Sequence, residues 1–371
     1  MNVNKKLKRF RSKIIKRRVI GNISYIIVFG KFRISYTKRG QYLRLGGLEI
    51  KRGRRSDEDE LLNPAGIFSF EKTEAILAYA MEEKITTDIK KHYCEQKGYK
   101  QLKYFPNLTK PQTFNEKLLW LAIYYKNPDY SVACDKAAAK GWIGKRIGAE
   151  YTVPVIGVYD DVNKIDFDTF PEKFVIKANN GWGSNEVALI RDKSRVDIEN
   201  LKAVVSTWLY PWKFYCYNNM CITDEKPSRP LIVVEEFLEQ KGKKYPDDYK
   251  LYCCNGKVKF SMIVSSRGNK NQSRTFVDRE WNPLPVGRAG KQSAALSAKP
   301  ENYEKMVELA ERLAVETPLV RVDFYDIDGK LYVGELTFTP GLFLRFDSKG
   351  EDEFLGNYLD ISGLMGQVDA I

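Results

Sequence analysis

Apolar positions change their period several times along this 371-residue chain. Near the N-terminus Leu7, Phe10 and Ile14 recur at helical spacing, with Lys5, Arg9, Lys13 and Lys16 turned away, which predicts a short basic amphipathic helix. The apolar run from Val19 to Gly30 is broken by Asn22 and Ser24 and is too short to span a bilayer. From Lys31 to Lys51 polar and apolar residues alternate around glycines, as short strands and turns do. Helical spacing returns with Ile76, Leu77, Ala80 and Met81 inside a segment running from Phe70 to about Lys100. Thr113 to Tyr125 (TFNEKLLWLAIYY) predicts a capped helix, with Thr113 as N-cap and Glu116 closing a capping box. Beyond Asp135 the pattern becomes strands separated by turns and helices. Phe174–Lys177, Leu231–Val234, Leu251–Cys254, Val258–Val264, Leu319–Tyr325 and Leu331–Glu335 read as strands, and Pro300–Val315 as a helix. The class this predicts is α+β.

Composition narrows the picture. With 43% hydrophobic and 29% charged residues the chain is globular rather than disordered. No apolar run reaches the roughly 18 residues of a membrane-spanning helix, and no small-residue cleavage site follows the N-terminal apolar stretch. The single histidine, His92, excludes zinc sites with several imidazole ligands and leaves little room for a Ser-His-Asp triad. Cys94, Cys134, Cys216, Cys221, Cys253 and Cys254 form no C-x-x-C pair; without a secretory signal they read as reduced packing residues of a cytoplasmic protein.

The net charge of +13 is unevenly placed. Residues 1–55 hold 18 Lys and Arg against one acid, Glu49, a local +17; the other 43 bases and 47 acids leave the rest at −4. Such an arm suits an anionic membrane surface, where each basic residue contributes up to about 1 kcal/mol. The competing readings are a solvated basic tail and, third, RNA binding, although no RNP-like motif accompanies it. Ser56–Glu60 (SDEDE) then reverses the sign and leads to Asn63-Pro64, a linker. The chain so divides into a basic arm (1–55), a helical segment (56–130) read as a packing layer without chemistry, and a body (131–371).

Five elements of the body could do chemistry. Asp135-Lys136 begins a predicted helix carrying Lys140 one turn later. FVIK, ending at Lys177, is a strand followed by ANNGWGS, whose Gly181 and Gly183 suit a phosphate cradle of backbone N–H groups. Ile232–Leu238 runs into two carboxylates, Glu235 and Glu236. Asp247-Asp248-Tyr249-Lys250 opens another strand. Finally, Arg321-x-Asp323 and Glu335 lie on strands joined by the turn DIDGK, and a tight Asp-Gly hairpin sets the two carboxylates across from each other. Such a pair suits Mg²⁺, a hard cation that takes one or two carboxylates and shares phosphate and water oxygens. A solvent-facing polar ladder would look the same from the hairpin alone.

Taken in order, these elements resemble the ATP-grasp superfamily over about residues 131–346. More narrowly, PQTFNEKLLWL, the Asp135-Lys136 motif, FVIKANNGWGSN, PDDYKLYCCNGKVKF and VRVDFYDIDGKLYVGELTFTPG resemble the TupA-like ATP-grasp family of bacterial cell-surface polysaccharide gene clusters, extending the match back to about Pro111. The fold implied is two α+β subdomains sandwiching ATP. The resemblance implies Lys136 and Lys177 on the nucleotide phosphates, with Gly181, Trp182, Gly183 and Ser184 as a lid loop. Glu235, beside Glu236, would accept from the adenine amino group, and the Leu238 backbone would read the ring edge. Asp248 would hold the ribose, and Lys250 would point to phosphate or substrate. Asp323 and Glu335 would bind Mg²⁺, and Arg321 would neutralise the transferred phosphoryl group. Arg267, Arg274 and Arg345 are candidates for an anionic acceptor. Asn180 stands where relatives often carry histidine, and Thr337 where many ATP-grasp enzymes carry asparagine.

The activity implied is an ATP- and Mg²⁺-dependent ligase that joins an amino acid or small amine to a sugar carboxylate of a surface glycan or its lipid-linked precursor. It would work peripherally at the inner face of the bacterial plasma membrane, with no nucleic acid partner. A glycan kinase would use the same ATP site. A glycosyltransferase is the other alternative, since Asp326-Ile-Asp328 spells a D-x-D metal motif, although Gly329 marks those acids as turn residues.

Overall fold

The computed structural model describes residues 102 and 104–368, apart from 180, 182–185, 210–228, 244, 266–272, 288–295, 297 and 341–343, together with the backbone of five strands between residues 14 and 52. The expected linker at 56–64 and the helical stretch over 70–100 lie outside the described residues. So do Trp182, Gly183, Ser184 and Arg267.

The five N-terminal strands are β1 (Ile14–Ile20), β2 (Ile23–Val28), β3 (Phe32–Thr37), β4 (Gly40–Leu45) and β5 (Leu48–Arg52). They form an antiparallel meander in sequence order. Strands were expected from Lys31 onward. The predicted basic helix does not extend through Ile14, which opens β1 instead; the β-branched residues of IIKRRVI favour a strand.

The body begins with α1 (Phe114–Tyr124), α2 (Asp129–Cys134) and α3 (Ala138–Ile147). The strands β6 (Val155–Tyr159), β7 (Phe174–Ala178), β8 (Val187–Ile190) and β9 (Ile232–Glu236) follow, with α4 (Ile198–Val205) between β8 and β9. They make a four-stranded sheet in the order β6-β9-β7-β8. Next come β10 (Asp248–Cys254), β11 (Lys257–Ser265), β12 (Ser273–Asp278), α5 (Tyr303–Leu313), β13 (Leu319–Ile327) and β14 (Lys330–Thr337). These five strands pair antiparallel in the order β12-β11-β10-β13-β14. The short helices α6 (Lys349–Gly356) and α7 (Ser362–Val368) follow. All six strands predicted within the body are present, as are the helices predicted at Thr113–Tyr125 and Pro300–Val315.

Strand alternation explains where the charged residues go. On β10, Tyr249, Leu251 and Cys253 face a core built with α5, α2 and α3, while Tyr252 and Cys254 face a second core under α1 and α6. On β13, Val320, Val322 and Phe324 share the first face. Lys250, Arg321 and Asp323 therefore share the second face, which the α1 side chains Phe114, Leu118, Trp120 and Leu121 cover on its β10-β11-β12 half. Burial pushes the Cys134 and Cys254 thiols up to about 12, which leaves them as inert packing groups.

The capping box of α1 forms as expected: Thr113 Oγ1 accepts from Glu116 N at 3.1 Å, and Glu116 accepts from Thr113 N at 3.1 Å. The helix is held to the C-terminal segment by Lys117, whose ammonium donates to Gly356 O at 2.9 Å and Leu359 O at 2.8 Å. At Gly356 a Cβ would collide with the Gln112 carbonyl oxygen and come within 3.0 Å of the Phe114 nitrogen, so backbone meets backbone there. Gly356→Ala is expected to lower unfolding stability by about 1–3 kcal/mol, the usual range for overpacking, as read from the denaturation midpoint.

Candidate functional site

Register places the chemistry before any side chain is considered. Asp323 is the Cα partner of Lys250 on one side and of Glu335 on the other, and Arg321 is the partner of Tyr252 and Thr337. Two adjacent rows of one sheet face thus carry Lys250–Asp323–Glu335 and Tyr252–Arg321–Thr337. The tight hairpin pairs Phe324 with Val333, and a β-bulge after Asp323 then brings Glu335, rather than Gly334, opposite it.

Asp323 is 3% exposed, and its carboxylate is fully engaged. Arg321 donates from Nε to Oδ1 at 2.6 Å and from Nη2 to Oδ2 at 2.8 Å, and Lys250 Nζ also donates to Oδ2. Lys250 pairs with Asp248 at 2.7 Å as well, and Arg321 donates to Thr337 Oγ1 at 3.0 Å. Burial alone would raise the Asp323 pKa, but the Arg321 and Lys250 charges outweigh it and hold the carboxyl below its ordinary value. Burial works against the Lys250 ammonium too, and Asp323 with Asp248 hold it above its ordinary value. Glu335 is more open and lies 3.8 Å from both Arg321 and Lys136.

Lys136 links this sheet to the smaller one. Its ammonium donates to the Gly181 carbonyl, at the start of the glycine-bearing loop after β7. Asp135-Lys136 was expected to open a helix, but α2 ends at Cys134 and the next helix begins at Ala138. The reason is the Asp135 side chain: Oδ1 accepts from Ala137 N at 2.8 Å and Ala138 N at 3.1 Å, capping the turn into α3. Its Oδ2 accepts from Asn179 Nδ2 at 2.7 Å, and Lys136 N donates to Asn179 O at 2.9 Å. Asn179 Oδ1 in turn accepts from Leu231 N at 2.8 Å. This clasp ties the lysine turn, the loop after β7 and the start of β9 together.

On the four-stranded sheet Phe174, Ile176, Ala178, Ile232 and Val234 face a core with α4. Lys177 and Glu235 alternate to the other face. Glu235, 3% exposed, accepts from Lys177 at 2.6 Å and Lys140 at 2.8 Å. Burial opposes its ionisation, and the two ammonium groups overcome that and keep its pKa below the ordinary value. Lys140 is pushed down by burial despite the Glu235 charge.

The remaining expected residues are placed as follows. Glu236 ends β9 and is exposed, and Leu238 is half-buried just beyond it. Arg274 shares a register row with Val264 and Asp248, two strands from Asp248. Arg345 is exposed. The D-x-D acids serve the hairpin turn: Asp326 accepts from Gly329 N at 3.1 Å and from Asn302 Nδ2 at 3.1 Å, and Asp328 takes a positive φ of 50°. Sequence reasoning assigned no role to Asp135, Asn179 or Lys140. An aspartate two and three residues before helical N–H groups was the available signal for Asp135; the other two depend on long-range contacts.

Among the described residues no cluster of three or more His, Cys, Asp or Glu could hold a metal by itself. That suits magnesium, which needs only one or two protein carboxylates when it shares phosphate oxygens. Asp323 and Glu335 fit, as adjacent hard donors ringed by cations that would meet a phosphate chain.

The TupA-like ATPgrasp family model matches residues 116–360, well over half of the chain, and the chain belongs to that family. The fold is accordingly the α+β ATP-grasp fold. No curated protein matches the sequence. Similar solved structures include D-alanine–D-alanine ligase from Helicobacter pylori, at 17% identity over 62% of each chain with TM-score 0.36. The Bacillus anthracis D-alanine–D-alanine ligase complexed with ATP is 17% identical over 62% of this chain and 63% of that one, with TM-score 0.35. D-cycloserine synthetase DcsG is 16% identical over 62% and 71%, with TM-score 0.35. The chain spans 62% of the length of the first of these.

Glu235→Gln leaves two buried ammonium groups around a neutral amide and is expected to destabilise the fold by about 3–5 kcal/mol near neutral pH. Because the folded-state pKa is depressed, the carboxylate's contribution is complete above the ordinary value of 4.5 and is lost as pH falls through the depressed value. Thermal unfolding of both proteins from pH 7 to pH 3 should show the gap closing in acid.

Proposed function

We propose that the chain is an ATP-dependent carboxylate–amine ligase acting on a carboxylate of a surface glycan, or its lipid-linked precursor, and an amino acid or small amine. The observation that carries this reading is the gathering of Lys136, Lys177, Lys250 and Arg321 around the carboxylates Glu235, Asp323 and Glu335 of two sheets. Phosphoryl transfer through an acyl phosphate requires positioning and charge neutralisation rather than covalent catalysis.

In this reading Lys136 and Lys177 hold the nucleotide phosphates beneath the loop that begins at Gly181. Glu235 accepts from the adenine amino group, with Leu238 at the ring edge, and Asp248 holds the ribose. Asp323 and Glu335 would hold Mg²⁺, which would supply charge neutralisation for the phosphates. An acceptor carboxylate oxygen attacks the terminal phosphorus and ADP departs. Arg321 and Lys250 offset the charge on the migrating group. The amine then attacks the acyl carbon, phosphate leaves, and the amine gives up a proton. Lys140 remains on Glu235 when Lys177 turns to phosphate, so the carboxylate stays paired. Arg267, Arg274 and Arg345 supply cations for an anionic acceptor. The polysaccharide setting of the family the motifs resemble supports a uronic acid as that acceptor. The turn bonding of Asp326 and the positive φ of Asp328 in the same turn weigh against a glycosyltransferase.

Incubating the full chain with ATP, Mg²⁺, glucuronate or galacturonate and a panel of amino acids should release ADP and phosphate only when acceptor and amine are both present, with the amide detected by mass. Absence of any nucleotide-dependent thermal shift would overturn the reading. Phosphorylated sugar instead of amide would make the protein a kinase.

The basic arm fits the anionic inner face of a membrane, where lipid-linked glycans are assembled. No helix among the described residues is long and apolar enough to cross one. Full-length protein should sediment with phosphatidylglycerol vesicles in low salt, and a variant lacking residues 1–55 should stay in the supernatant while keeping its ATP-induced thermal shift. Equal sedimentation of the two would assign membrane attraction elsewhere.

A further inference from the structure

The TFNEK motif that opens α1 has a role beyond packing. Asn115, Glu116 and Lys117 each grip the backbone of a different segment. Glu116 accepts from Asn107 N at 2.9 Å and Gln112 N at 2.9 Å. Lys117 holds the end of α6. Asn115 engages both backbone polar groups of one distant residue: Leu344 N donates to its Oδ1 at 2.7 Å, and its Nδ2 donates to Leu344 O at 2.8 Å.

Asn115 is itself completely buried and locked. Asp352, 2% exposed at the start of α6, accepts from Asn115 N at 2.9 Å and Asn115 Nδ2 at 2.7 Å, and from Tyr104 OH at 2.9 Å. With both donors of Nδ2 and both Asp352 oxygens committed, the amide has one orientation.

Leu344 follows the strand that carries Glu335 and precedes Arg345. Arg345 is exposed, while its neighbours on either side are anchored: Leu344 is buried under α1, and the Phe346 ring packs 6.3 Å from Phe276 of β12. Phe276 shares a row with Met262, Lys250 and Asp323, next to the row of Arg274 and Asp248. The guanidinium of Arg345 thus starts from a fixed backbone point at the edge of the face that holds the candidate site.

We propose that Asn115, braced by Asp352, is a positioning residue that fixes Leu344 and thereby sets Arg345 for the anionic acceptor. This rests on the ligase reading for the acceptor's identity but not for the clamp.

The test compares wild type with Asn115→Ala, Arg345→Gln, the double variant, and Asn115→Asp/Asp352→Asn, which restores the side-chain hydrogen bond with reversed polarity. In full-length Asn115→Ala, hydrogen exchange in peptides spanning residues 344–348 should rise at least tenfold, while the AMP-PNP·Mg²⁺ midpoint stays within twofold. With glucuronate and L-alanine as substrates, KM for glucuronate should rise about tenfold with KM for ATP unchanged. Asn115→Ala/Arg345→Gln should be no worse than Arg345→Gln alone, since one acts through the other. The polarity-reversed pair should recover part of the exchange protection. Unchanged exchange at 344–348, an equal loss of AMP-PNP affinity, or additive effects of Asn115 and Arg345 would each overturn the proposal. If wild type turns over no uronate, the ligase reading fails, and the exchange and AMP-PNP arms still decide whether Asn115 holds the loop without disturbing the nucleotide site.

Discussion

The body of this protein is organised around the burial of one carboxylate. Asp323 sits in the middle of a five-stranded sheet, where an isolated negative charge would be expelled or neutralised. It stays ionised because Arg321 reaches it from two positions along its own strand and Lys250 reaches it from the neighbouring one. Lys250 is placed by register and Arg321 by the two-residue alternation of its own strand, so the electrostatics of the site follow from strand geometry. The same face then has two jobs. Its β10-β11-β12 half is apolar and takes the α1 helix, with Phe114 edge-on to Tyr252 and Phe260. Its β13-β14 half carries Arg321, Asp323 and Glu335.

The smaller sheet repeats the arrangement, one buried carboxylate held by two cations. There the buried carboxylate Glu235 neutralises two lysines. Lys136 stands between the two networks, touching Glu335 on one sheet and Gly181 on the loop of the other. Every cation that the ATP-grasp reading sends to phosphate is already paired with a carboxylate. Nucleotide binding on this reading is an exchange of partners, in which phosphate oxygens replace protein carboxylates around the lysines and a divalent cation replaces the lysines around Asp323 and Glu335. Buried charges are never left alone at either stage, which is the condition for keeping such a site in a folded protein.

Much of this was legible in the chain. Asp-Gly in the turn is enough to predict the β13-β14 hairpin and to bring Asp323 near Glu335, but an unbroken register would set Asp323 opposite Gly334, and only the bulge puts the two carboxylates in one row. The capping box at Thr113 and Glu116 is a local rule and formed as predicted. FVIK and IVVEE announced strands through short apolar runs bounded by polar residues. The helix expected around Leu7 to Ile14 did not extend to Ile14, because apolar spacing there fits either period and β-branched residues decide for a strand. Asp135-Lys136 was read as a helix start, and the capping bonds of Asp135 show it to be the turn before one. Val155–Tyr159 and Ser273–Asp278, edge strands of their sheets, gave too little alternation to be recognised.

The sequence by itself determined most of the elements, the order of the charged motifs and the existence of the last hairpin, since each rests on interactions within a few residues. Only the tertiary structure decided which charges meet. Lys140 and Lys177 converge on Glu235 from a helix and a strand, Asn179 closes on Asp135, and Asn115 grips Leu344 more than two hundred residues away. Such contacts depend on how sheets and helices stack, and no local spacing encodes them. The TFNEK motif shows the difference most plainly. As sequence it is a helix cap on an apolar face; in the fold Asn115, Glu116 and Lys117 hold three separate backbones, one of them beside the candidate site.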